Sequence, residues 1–260
     1  MSMRIIAHTC SNTEIVCALG RGDWLVGVDN HSDHPPEIVA RLPRIGADLD
    51  IDIDAVVALR PDLVITSLTV PGHERCVERI AAAGLAHLVT RPISLAEVAA
   101  DIRRIGEAID ARVAAEALAA RFDRALAGAR ARPADVPVLV EWWPKPVIVP
   151  GRRSWVNEML RLAGAYNPWE DAEAESLPVE TSAVVQAAPE AVIMSWCGVA
   201  EHKYRAEVVR RRPGWENVPA IRSDRIHAVS EAWLGRPGPR LLEGIDRLRA
   251  IVSALHGNRR

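Results

Sequence analysis

The sequence predicts an α/β protein of two similar lobes with parallel-rich sheets, and three observations carry that reading. Short apolar runs alternate with helical patterns along most of the chain, the signature of strands joined by helical crossovers. One segment repeats: Ala55–Ser67 (AVVALRPDLVITS) and Ala183–Ser195 (AVVQAAPEAVIMS) share seven of thirteen residues, each reading as a helix end, a Pro-acid turn and a buried strand. A long helical stretch separates the two copies.

In chain order, Arg4–Ala7, Leu25–Val28, Leu63–Thr66 and Leu85–Val89 read as strands of the first lobe, 1–93. The strut, 94–132, starts at a capping box, Ser94-x-x-Glu97, whose side chains each cover an orphan N–H. Apolar residues then recur near a 3.6 period from Val98 to Leu126, and Pro133 and Pro137 end the stretch. Unbroken, its roughly 37 residues would span ~55 Å as one long rigid helix, with Gly106 and Asp110 as the break points. Val138–Glu141, Val147–Val149, Ala191–Ser195 and Arg225–Val229 are the strands of the second lobe, 133–260. A weaker echo pairs Glu14–Gly20 with Glu158–Gly164, both helical and stopped by glycine. Ligands of such proteins favour the interlobe cleft, at the C-terminal strand ends.

Composition narrows the function classes. The 260 residues carry 34 acids against 32 bases, net −2, so no positive excess points to nucleic acid or an anionic membrane. No apolar run approaches the ~20 residues of a membrane span. The start, Met1–Ala7, shows no long apolar signal segment, which leaves two expectations open: a trimmed extracytoplasmic protein, or a cytoplasmic one. The four cysteines, Cys10, Cys17, Cys76 and Cys197, form no C-x-x-C pair and read as small buried hydrophobes, one disulfide remaining open. No phosphate loop, nucleophile elbow or zincin motif occurs, so binding without catalysis and without a catalytic cofactor is expected. Asp29–Pro36 (DNHSDHPP) holds four potential metal ligands but reads as a polar loop, and no metal is expected there.

Eight tryptophans stand against one phenylalanine and two tyrosines. Trp142, Trp143, Trp196 and Trp233 follow predicted strands, which points to a flat apolar ligand. Trp24, Trp155, Trp169 and Trp215 read as packing. Cys10, Ser11 and Asn12 leave strand one, Ser67 ends the first repeat copy, and Gly235 and Arg236 follow the last strand, so all join the candidate ligand-binding set.

These pieces resemble the substrate-binding proteins of cobalamin and iron-siderophore ABC importers. The resemblance is carried over nearly the whole chain by Ser11–Ile15, Val26–Val28, Ser32–Pro36, Ile53–Ile65 and Gly235–Arg240, and the Ser-Asp-x-Pro-Pro piece leans towards the cobalamin branch. It implies a corrinoid ligand, capture in the cleft without chemistry, little hinge motion, a monomer, and an ABC permease as partner. It places His31 where the family has a ligand-contacting Tyr, and Asp48, Ser67 and Ser176 where the family has cleft tryptophans. It also implies permease docking through one acid on each lobe. Asp54 matches the first. Its repeat mate is Ser182, with Glu180 the nearest acid. The alternatives are a haem, ferric-siderophore or metal binder on the same scaffold, and a cytoplasmic corrinoid-binding protein.

Overall fold

The computed structural model describes residues 2–128 and 134–257 and divides the chain into two units. The first takes Met1–Pro92 and Ala96–Asp123, the second Ile93–Leu95 and Arg124–Arg260.

The first unit begins with β1 (Ile5–Ala7), α1 (Cys10–Ala18), β2 (Leu25–Val28) and α2 (Pro36–Val39). A small hairpin of β3 (Gly46–Ala47) and β4 (Asp50–Ile51) follows, then α3 (Ile53–Ala58), β5 (Leu63–Ser67), α4 (His73–Ala82) and β6 (His87–Thr90). Its main sheet is parallel, in the order β2-β1-β5-β6. Both faces of a crossover sheet are covered, so its strands are apolar runs without alternation: Ile5, Ile6, Val64 and Ile65 are fully buried.

After α5 (Leu95–Ala108) and α6 (Arg112–Ala127), the second unit opens with β7 (Val136–Glu141), β8 (Trp143–Pro144) and β9 (Val147–Pro150). It continues through α7 (Val156–Ala163), β10 (Ala165–Tyr166), β11 (Ser176–Pro178), α8 (Thr181–Ala187) and β12 (Ala191–Met194). It closes with α9 (Ala206–Arg210), α10 (Pro219–Arg222), β13 (Ile226–Ala228), α11 (Glu231–Leu234) and α12 (Leu241–Gly257). The main sheet runs β10-β7-β12-β13, again parallel. The predicted strand at Val147–Val149 forms, but in a separate antiparallel sheet, β11-β9-β8. A turn of two residues after β8 is too short for a parallel crossover and forces that pairing.

The sequence repeat is a structural one. The copy α3–β5 and the copy α8–β12 each supply the third strand of their sheet. Each helix ends in a left-handed residue that is not glycine, Arg60 at φ 46 and its mate Ala188 at φ 45. The weaker echo also holds, since α1 and α7 are followed by Gly20 and Gly164, both at positive φ.

The strut is not one long helix but splits where Gly106 and Asp110 stood as break points. The stretch is two helices, and most of it groups with the first unit. Arg103 bonds both Glu116 (2.8 Å) and Asp123 (2.6 Å), whereas twenty residues along one straight helix would lie about 30 Å apart. The break is a Schellman turn: Ala111 N donates to Gly106 O (2.7 Å) and Asp110 N to Glu107 O (3.4 Å), with Asp110 at φ 51. Aspartate tolerates that conformation better than most residues. Arg21 adds a cation at the helix end, donating to the carbonyls of Ile109 (3.3 Å) and Asp110 (2.5 Å). The expected end at 131–133 lies outside the described residues.

Gly106 is where the two helices meet, since a Cβ there would stand 2.1 Å from the Ala115 Cβ. Gly106→Val is therefore expected to cost about 2 kcal/mol, read as a lower urea midpoint with an unchanged slope.

Candidate functional site

In the first unit the carboxyl edge of the parallel sheet is a layer of buried polar side chains. His8 follows β1 and is fully buried, its Nδ1 2.9 Å from Thr66 Oγ1 on β5. The chain then turns sharply at Thr9, a β-branched residue held at φ 91, to start α1. Asn12 donates to the His8 carbonyl (3.0 Å), and Thr90 at the end of β6 donates to the Thr66 carbonyl (3.1 Å).

After β2, the buried Asp29 organises its own loop. Its Oδ1 accepts the His31 N–H (2.7 Å) and its Oδ2 accepts Ser32 Oγ (2.6 Å). Arg44 donates to the Asp29 and Ser32 carbonyls (2.8 and 2.7 Å). The polar loop read from Asp29–Pro36 is thus tied by its first acid. Among the described residues no group of three or more His, Cys, Asp or Glu is placed to hold a metal ion.

Beside that loop an imidazole cluster surrounds one carboxylate. Asp48, at the tip of the β3–β4 hairpin, has Oδ1 3.7 Å from Nε2 of the exposed His31 and Oδ2 3.8 Å from Nε2 of the buried His73. The His8 and His73 rings meet edge to face at 5.8 Å. His73 and His31 hold the Asp48 carboxyl below the usual carboxylate range. Burial, with His73 adding to it, pushes the His8 imidazole down, so it is neutral in the fold. His8 Nε2 and both ring nitrogens of His73 are buried and make no hydrogen bond of ordinary length, and Asp48 is the acid that faces His73.

The carboxyl edge of the second unit's own sheet carries different chemistry. Glu141 ends β7 and is fully buried, accepting Trp196 Nε1 (2.9 Å) at Oε1 and Arg212 Nη1 (2.6 Å) at Oε2. Arg212 also lies over the Trp215 ring at 4.3 Å. Beyond β12, Glu231 accepts Gly198 N (2.6 Å) and Arg236 Nε (2.9 Å), tying the loop after β12 to the loop after α11.

The candidate residues divide by exposure. His31 and Trp143 (43% exposed) are open at the edges, and Cys10, Trp233, Gly235 and Arg236 are half-buried. Ser11, Asn12 and Ser67 are buried and committed to protein bonds, Ser67 to Thr69 at 2.8 Å. They support the edge from beneath. Trp142 is 9% exposed, and Trp196 packs in the core of the second unit against Tyr204, as a filler with a satisfied N–H. Trp233 is sandwiched by charge, with Arg247 at 3.5 Å and Arg240 at 5.4 Å from its ring. Asp54 and Glu180 are exposed on α3 and at the start of α8.

None of the four cysteines is in a disulfide, and only Cys76 is buried. Cys197 is exposed because it follows β12 into the edge loop. Sequence reading passed over His73 and Glu141 as site residues, and took Asp48 only as a departure from a cleft tryptophan of the family. His8 and Glu141 stand next to or at the end of a strand, and that placement was their signal. Asp48 and His73 come from a hairpin and a helix start that no periodicity marks.

Two measurements check this geometry. Replacing the buried carboxylate, Glu141→Gln, strands Arg212 and is expected to cost about 3 kcal/mol in urea unfolding. For His8, the unfolded chain takes up a proton near its ordinary 6.5 while the fold resists it. Stability therefore falls as pH drops from about 7 to 5, by up to ~1.4 kcal/mol per pH unit for one group. His227, also pushed down by burial, acts in the same direction. Asp48 adds nothing in that window, because its share is lost only below the carboxylate range. His8→Gln should flatten the pH dependence of the urea midpoint.

The family model described as periplasmic binding protein matches residues 5–231. An uncharacterized ABC transporter substrate-binding lipoprotein of Bacillus subtilis, YvrC, is 30% identical, covering 96% of this chain and 79% of its own. The vitamin B12-binding protein of Vibrio cholerae is 26% identical over 94% and 87% of the two chains. Among solved structures, the periplasmic heme-binding protein RhuT of Roseiflexus sp. superposes with a TM-score of 0.82 at 30% identity, covering 98% and 99% of the chains. With two parallel α/β units and a match spanning most of its length, the chain belongs to the periplasmic binding protein family and is a substrate-binding protein of the ABC importer type, a binder and not an enzyme.

Proposed function

We propose that this chain captures cobalamin or a related corrinoid outside the cytoplasm and hands it to an ABC importer. The observation that carries the reading is the exposed imidazole of His31 beside Asp48 in the first unit; the second unit separately exposes an indole, Trp143. A corrin is a flat apolar ring around a metal. An indole face buries its surface at ~25 cal/mol per Å², and an imidazole offers a metal or hydrogen-bond donor to its centre or side chains. Cys10, Trp233, Gly235 and Arg236 complete the contact set, with Ser11, Asn12, Ser67, Trp142 and Trp196 holding it from behind. The vitamin B12-binding relatives support the ligand, and the lipoprotein relative supports the location. Asp54 and Glu180, exposed acids of the two units, are the proposed contacts to basic groups of the permease.

A second reading, haem, is favoured by the likeness to RhuT and by the same imidazole. Tryptophan quenching separates the two. Titration with cyanocobalamin should give saturable 1:1 binding at micromolar or tighter affinity, weakened about tenfold by Trp143→Ala. Binding of hemin with a shifted absorption band, and none of cyanocobalamin, would replace the first reading by the second. Binding of a ferric siderophore alone would overturn both.

A further inference from the structure

The internal repeat shows which of its own features the core explains. Of the seven identities between Ala55–Ser67 and Ala183–Ser195, six are partly or fully buried in both copies. Val56 and Val184 are fully buried, each in the core of its own unit. Pro61 and Pro189 stand in the turn, and Val64, Ile65, Val192 and Ile193 fill the strands. The seventh identity, Val57 with Val185, is exposed in both, at 46% and 42%. The other exposed positions of the first copy, Ala58, Arg60 and Asp62, have all diverged, to Gln186, Ala188 and Glu190.

Single exposed apolar residues are ordinary and call for no explanation. Two at the same place in a repeat are different. Seven large apolar side chains are exposed among the described residues, and Val57 and Val185 are the one pair among them in repeat register. Burial does not hold valine there. Helix propensity does not either, since a β-branched residue is poorer than alanine on an exposed helix. One turn earlier on the same faces stand Asp54 and Ser182, so the charge differs between the copies while the apolar group is shared.

We propose that Val57 and Val185 are equivalent apolar anchors for the importer's permease, each seated in a depression on one of two like subunits. A repeated surface fits a partner that offers its own surface twice, as the common two-fold assemblies do. The acids, Asp54 three residues before Val57 and Glu180 five before Val185, stand differently beside the two anchors and distinguish one contact from the other. This inference rests on the importer reading above and adds to it the residues that give apolar contact.

The test uses the full chain and its cognate permease–ATPase complex in lipid nanodiscs, with binding followed by biolayer interferometry. Val57→Ser and Val185→Ser should each weaken association about tenfold, equivalent to about 1.4 kcal/mol. The double variant should lose about a hundredfold, because the two positions share no partner and their effects add. Ligand affinity and thermal unfolding should stay at the wild-type values. Val113→Ser, at a fully solvated valine with no repeat mate among the exposed set (88% exposed), should change nothing. A double variant that binds the permease like wild type overturns the inference and leaves the importer reading intact. So does a loss of self-association in its place, which would make the valines a contact between copies of this chain. A wild-type chain that binds its ligand but never the permease overturns the importer reading and the anchors together.

Discussion

Parallel pairing is the constraint on which the rest depends. A parallel strand cannot be followed by a tight turn, so every strand of each main sheet leaves by the same edge and returns through a helix. All the loops after strands are thereby collected in one place. In the first unit this edge gathers His8, Asp29, Ser67 and Thr90, and in the second Glu141 and Ser195. These polar groups sit over an apolar sheet, where an unpaired donor or acceptor is costly. The hydrogen-bond layers of Asp29 and Glu141 answer that demand, and they fix the loops that a ligand meets.

The two units solve the same problem with different residues. In the first, imidazoles and hydroxyls crowd one carboxylate, and several ring nitrogens make no hydrogen bond of ordinary length. In the second, a fully buried carboxylate is closed off by an indole N–H and a guanidinium, and the half-buried Glu231 ties two loops together. The first arrangement keeps hydrogen-bonding capacity in reserve; the second spends it on rigidity.

Much of this was legible in the sequence because it rests on periodicity and punctuation. The repeat, the glycine stops of α1 and α7, and every main-sheet strand except the two-residue β10 stand where apolar runs and turn residues put them. What escaped depends on tertiary contact. The break between α5 and α6 falls where Gly106 and Asp110 marked it, but the guanidinium that closes the helix end, Arg21, comes from far away in sequence. The strands β8 and β11 are two or three residues long and exist only through pairing with β9. Asp48 becomes a site residue through His31 and His73, from a loop and a helix that local patterns do not connect. Trp196 followed a strand as expected, yet its indole turned inward because Glu141 needed a donor. Exposure of a residue at a strand end is a packing outcome, and one-dimensional spacing does not encode it.

The division among the tryptophans has an optical consequence. With eight indoles against a single phenylalanine and two tyrosines, near-ultraviolet absorption belongs almost wholly to tryptophan. Those chromophores occupy contrasting surroundings: Trp215 is sealed from water, Trp196 donates to a buried carboxylate, and Trp143 faces solvent. Emission is therefore a sum of populations separated by wavelength. Its red edge reports the open rim of the second unit, and its blue edge reports the interior of that unit.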